Sequence, residues 1–144
     1  MSLINYSKKI QNQYQFYKLF YNCKNIVSAS RLQLPAKKLQ EYCYCGMFKD
    51  CISLLHPPRL NSVKLENDCY STMFWGCTQL QYPPDLPAKK LAINCYFAMF
   101  FDCKNIKIGP TLPATELVSG CYENMFEGCE NLASLDVYFT DWKN

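Results

Sequence analysis

The sequence predicts an α/β solenoid with one short parallel strand and one helix in each 26-residue repeat. Three observations carry that expectation. Four consecutive units, 34–59, 60–85, 86–111 and 112–137, align without a gap, and self-similarity at a fixed period of this size marks a stacked architecture. Within each unit apolar side chains recur at steps of four. A short run in which Leu or Ile alternates with polar neighbours then follows, and proline closes most units.

The elements follow in chain order. Residues 16–33 form a degenerate amino-terminal cap repeat: FYKLFYNCKNIVSASRLQ matches the later units from Phe16 through Ile26, lacks the first cysteine and carries two extra residues before Leu34. In the first full unit Leu39, Cys43, Met47 and Cys51 stand four apart with Phe48 beside Met47. That is the spacing of one apolar helix face, and it places a helix near residues 39–50. The residue before the second cysteine is Asn22, Asp50, Gly76, Asp102 or Gly128. These types tolerate left-handed backbone best, so the column reads as the helix stop. CTQLQY, CKNIKI and ENLASL then suit strands. Pro57, Pro83 and Pro110 end their units, and Leu-Pro-Ala opens the next, except where the second unit begins Leu60-Asn61-Ser62. A lone strand and helix cannot bury their own apolar faces, so units stack and share a core. Helical crossovers make the strands parallel on a concave side, with the helices outside. The whole chain, 1–144, is one repeat domain, and 138–144 start a carboxy-terminal extension.

The phrase Leu-Pro-Ala, Leu, Cys-Tyr-x-x-Met-Phe-x-x-Cys-x-x-Leu resembles the BspA-like leucine-rich repeat family. It is carried by Leu39, Cys43, Tyr44, Met47, Phe48, Cys51 and Leu54 and by their equivalents 26, 52 and 78 residues on. The resemblance implies a horseshoe-like leucine-rich-repeat solenoid that binds proteins or adheres to surfaces without catalysis, and a place at the cell surface. Family members there usually carry an export signal. The amino terminus MSLINYSKKIQNQYQF has no apolar stretch of the length a signal peptide needs. A structural component of a viral (phage) particle or other assembly, or a cytoplasmic protein, is the alternative.

Composition narrows the function classes. With 49% apolar and 15% aromatic residues the chain can build a core. A formal charge of +3 gives no overall basicity to favour nucleic acid, and no segment is apolar for long enough to span a bilayer. The ten cysteines lack C-x-x-C spacing, and the single histidine, His56, cannot support a zinc set. On a helix the two cysteines of a unit would stand about 12 Å apart along the axis, too far for a disulfide. Helices stacked about 8–10 Å apart would separate equivalent cysteines too. The cysteines therefore read as small buried hydrophobes, with Cys45, outside the ladder, as the candidate exposed thiol. The Tyr44 and Phe48 columns read as core packing between repeats. No acid or base recurs beside His56 and no glycine falls into a phosphate loop, so the chain reads as a non-enzyme without cofactor or metal.

Specificity then falls to surface positions. Alternation along the strands turns Leu54, Leu80, Ile106 and Leu132 inward and projects Ser53, Leu55, Gln79, Gln81, Asn105, Lys107, Asn131 and Ala133 from the concave face. These are the candidate partner-binding residues, and their polar, mostly uncharged character favours a protein partner over nucleic acid. Charge is also graded along the axis. Residues 1–33 hold Lys8, Lys9, Lys18, Lys24 and Arg31 with no acid, whereas 112–144 hold six acids against Lys143. Oppositely charged ends suit head-to-tail self-association.

Overall fold

A computed structural model describes residues 10–141. Residues 1–9 of the segment read against a signal peptide lie outside the described residues, as do Lys8, Lys9 and Lys143. Among the described residues there is no helix, and strand structure is limited to isolated bridges. The expected α/β fold with a helix per repeat is thereby overturned. In place of each helix lies a ribbon of overlapping β-turns, at 13–22, 41–50, 67–76, 93–102 and 119–128.

The backbone bonds explain the ribbon. In 41–50 every second N–H closes a turn within its own coil: Cys43 donates to Gln40, Cys45 to Tyr42, Met47 to Tyr44, Lys49 to Gly46 and Cys51 to Phe48, at 3.0–3.3 Å. The intervening N–H groups of Tyr42, Tyr44, Gly46, Phe48 and Asp50 run along the stack to the carbonyls of Asn67, Cys69, Ser71, Met73 and Trp75, at 2.7–3.2 Å. The same alternation joins every successive pair of coils, starting with Tyr14, Phe16, Lys18, Phe20 and Asn22 donating to the 41–49 segment. A helix would satisfy all these groups within one segment. Here half of them knit neighbouring coils together.

Such a ribbon needs a left-handed residue every four positions. Tyr42, Gly46 and Asp50 have φ of 56°, 62° and 61°, and the equivalents 68, 72 and 76, 94, 98 and 102, 120, 124 and 128, and 14, 18 and 22 are also positive. Each is the third residue of a turn, where a type II turn requires positive φ. The column read as a helix stop is thus the last of three left-handed columns, and it ends each turn ribbon instead of a helix. For a non-glycine residue the conformation costs about 1–2 kcal/mol, and β-branched Thr72, at 53°, is the sterically most demanding case. The inter-coil bonds and the buried rings oppose that cost.

The repeat of four also explains why the sequence imitates a helix. Cys43, Tyr44, Met47, Phe48 and Cys51 all point inward and are fully buried, as the expected helix face would be. Their rings form two continuous columns. Phe16, Tyr44, Tyr70, Tyr96 and Tyr122 stack at 5.6–5.9 Å, and Phe20, Phe48, Phe74, Phe100 and Phe126 at 5.2–5.7 Å. Ladder bonding sets coils about 4.8 Å apart, so rings at these separations are slid sideways into the offset stack that aromatic quadrupoles favour. The reading of the Tyr44 and Phe48 columns as packing between repeats describes this core.

The expected strands shrink to isolated parallel bridges, Ser28 with His56, Lys38 with Lys64, Ile108 with Ser134 and Leu112 with Val137. No continuous concave sheet forms among the described residues. Coils bonded this closely also remove the argument that helix spacing keeps equivalent cysteines apart. All ten cysteines are nonetheless free thiols.

Candidate functional site

Just beyond each ribbon the coil makes one more turn, at 52–53, 78–79, 104–105 and 130–131, and then passes an inward leucine or isoleucine. Leu54, Leu80 and Ile106 are fully buried there, while Leu132 in the last coil is half-buried. Their neighbours point outward in two columns: Ser53, Gln79, Asn105 and Asn131, then Leu55, Gln81, Lys107 and Ala133. Ser53, Leu55 and Asn105 are half-buried, and the other five are exposed. The candidate residues therefore line one lateral strip, set on turns and bridges instead of a sheet. Backbone bonds hold the strip at its ends: Leu55 N–H donates to Val27 O, and Ala133 and Ser134 N–H to Lys107 O. Asn131 is anchored, its Nδ2 donating to Lys104 O at 2.8 Å.

The strip extends one column beyond the predicted residues. Tyr82 is 74% exposed and Ile108 64%, with His56 and Ser134 in the same column and Val27, 50% exposed, beside it. The sequence signal was present. No acid or base recurs in this column, but a large apolar side chain just after the alternating run marks outward apolar surface. The strip is thus apolar at Tyr82 and Ile108, polar around them and cationic at Lys107. Beside it a groove of about 500 Å³ runs between the proline loops, lined by Arg59, Asn61 and Asp85 along with the prolines and Leu60.

The face formed by the ribbons has different chemistry. Lys49 Nζ lies 4.0 Å above the Trp75 ring, and Trp75 stacks on Phe101 at 4.2 Å. In the left-handed columns side chains lean toward the next coil: the Asp50 carboxylate lies over Gly76, Asn94 over Gly120 and Asp102 over Gly128. This accounts for the alternation of Asp or Asn with Gly.

The thiols form two columns. Cys51, Cys77, Cys103 and Cys129 each donate S–H to the phenylalanine carbonyl of the preceding coil, at Phe20, Phe48, Phe74 and Phe100, at 3.0–3.1 Å. Burial pushes these thiols up, Cys51 and Cys129 to about 11, and does the same to Cys43 and Cys95, to about 12. They hold their protons at neutral pH and are poor nucleophiles. Cys45, expected as an exposed reactive thiol, is buried at 8% exposure and its pKa is raised, chiefly by desolvation. Among the described residues no three His, Cys, Asp or Glu side chains group to hold a metal ion, and no helix is long and apolar enough to cross a membrane.

The ends of the stack carry the second candidate surface. In the last ribbon the N–H groups of Gly120, Tyr122, Asn124, Phe126 and Gly128 stand where earlier coils bond to their successors, and they make no hydrogen bond to the described residues. At the other end the carbonyls of Gln13, Gln15, Tyr17, Leu19 and Tyr21 accept none from the backbone of the described residues. No family model matches the chain, and neither a curated protein nor a solved structure does.

Proposed function

We propose that the chain is a non-enzymatic protein-binding module that presents its lateral strip to a partner. One observation carries this reading: each coil repeats the same buried residues, whereas the strip changes from coil to coil and leaves Tyr82 and Ile108 largely in water. A constant frame with a variable exposed face suits recognition, and the resemblance to BspA-like repeats points the same way, toward adhesion. Lysine crosslinking on native source material tests it. A partner protein joined through Lys107, and lost in the Tyr82→Ser/Ile108→Ser variant with folding unchanged, supports the strip. Lys107 crosslinks no more specific than those of Lys89 and Lys90 refute it.

A second reading, a structural part of a particle or other assembly, is favoured by the backbone rows at both ends that make no bond among the described residues. Crosslinks joining the chain's ends to neighbouring copies or to a repeated shell protein would support it.

A further inference from the structure

We infer that the carboxy-terminal end of the stack docks on the amino-terminal end of a second copy, in the register that joins coils within the chain. This deepens the assembly reading and rests on it. The two ends are complementary in four respects.

The backbone rows match. Within the chain the N–H of Tyr42 meets Asn67 O and that of Asp50 meets Trp75 O. Continued by one coil, the same register brings Gly120, Tyr122, Asn124, Phe126 and Gly128 N–H to the carbonyls of Gln13, Gln15, Tyr17, Leu19 and Tyr21 of the second copy. The thiol column also continues. Each second cysteine bonds the phenylalanine carbonyl one coil back, so the half-buried Cys23 of the second copy falls on Phe126 O. Phe126 stacks on Phe100 on one side, and among the described residues no ring stacks on its other side, where Phe20 of the second copy would lie.

The charges agree with this polarity. Lys104 Nζ bonds Glu130 Oε1 at 3.1 Å across the last interface within the chain. The next position in that column is Lys24 of the second copy, which sets Glu130 between two lysines. Lys18 of the second copy continues the column of Asn124, beside Glu123 and Glu127; within its own chain its stem leans over Gly46 and its Nζ lies over the Tyr17 and Tyr21 rings. The same ends placed head to head would oppose like charges.

One side chain stands in the way. Phe139 is buried and stacks on Tyr122 at 5.8 Å, in the place that Phe16 of the second copy would take. It is a partial cap that docking displaces, so its removal promotes association.

Sedimentation and light scattering across protein concentration and salt test the inference, with circular dichroism reporting the fold. Mass should grow with concentration at low salt and fall toward one chain at high salt. Lys18→Glu/Lys24→Glu and Glu123→Lys/Glu127→Lys/Glu130→Lys should each be monomeric alone and associate when mixed. Phe139→Ala should shift association to lower concentration. A chain that stays monomeric under all conditions overturns the inference. So does association that survives high salt and both charge reversals, or one that Phe139→Ala leaves unchanged or weakens. A chain that is monomeric when pure yet crosslinked into a particle in native material overturns the inference alone and leaves the assembly reading standing.

Discussion

Gly76→Ala separates the turn ribbon from the helix it resembles, because the two backbones assign it opposite signs. On a helix, alanine is favoured over glycine by about 0.8–1.0 kcal/mol. In the ribbon Gly76 has φ of 74° in the middle of the stack, and an added Cβ would meet the Asp50 carboxylate. Left-handed alanine costs about 1–2 kcal/mol. Moving the carboxylate off its rotamer costs about 0.5–1.5 kcal/mol. Lower entropy of the unfolded alanine chain returns about 0.4–1 kcal/mol. The net is a destabilisation of about 2 kcal/mol, a fall in Tm of roughly 4–8 °C for a chain of this size.

Thermal and urea unfolding of the two proteins, followed by circular dichroism, measure it. Asp50→Ala in the Gly76→Ala background controls the origin of the effect, because it removes the obstructing carboxylate and leaves the left-handed backbone strain at residues 50 and 76. Partial recovery is expected. A rise in Tm for Gly76→Ala would refute the ribbon.

Three further outcomes follow from the same frame. Phe74, fully buried between Phe48 and Phe100 at 5.7 Å on each side, should lose about 3–5 kcal/mol as alanine. Half-buried Phe126, with one ring neighbour in its column among the described residues, should lose roughly half as much; equal losses in urea titrations would contradict the columns. Stability should hold up to about pH 9, the ordinary thiol value, and then decline as pH rises through the folded values of about 11 for Cys51 and Cys129 and about 12 for Cys43 and Cys95. The sign follows because the folded chain keeps protons that the unfolded chain releases; a Tm that rises above pH 9 would oppose it. In maleimide labelling half-exposed Cys23 should react well before buried Cys45, and early loss of Cys45 would contradict its burial.

Much of the stack was legible in the sequence: the 26-residue period, the buried columns at Cys43, Tyr44, Met47, Phe48 and Cys51, and the left-handed tolerance of the Asp50 column. The backbone was misread because inward residues at i, i+1, i+4 and i+5 fit a helix face and a four-residue turn ribbon equally well. Two signals could have separated them. Cys, Tyr, Phe, Asn, Asp and Gly, which fill 41–50 and its equivalents, are weak helix formers. The last unit places Gly120, Asn124 and Gly128 four apart, a left-handed rhythm that one helix stop cannot explain. The lateral strip was legible as alternation around Leu54, whereas Tyr82 and Ile108 share their column with His56 and Ser134, so no repeated residue type marks it as exposed apolar surface.

The rows of unbonded N–H and C=O groups were not legible at all, since they follow from which way alternate amides point. That alternation makes each coil depend on its neighbours for half of its ribbon donors, so the first coil, covered on one side, shows what an open interface costs. Tyr14, Tyr17 and Tyr21 there are 51%, 41% and 46% exposed. Tyr44, Tyr70 and Tyr96, inside the stack, are fully buried, although they occupy the Phe16 column and not those of the amino-terminal tyrosines. The inward-facing rings make the sharper comparison: Phe16 and Phe20 of the first coil are only half-buried, whereas Phe48 and Phe74 in the Phe20 column are fully enclosed. Closing a further interface on that end would therefore bury aromatic surface already shaped to stack, and the unpaired carbonyls beside it fix the direction from which a second coil can arrive.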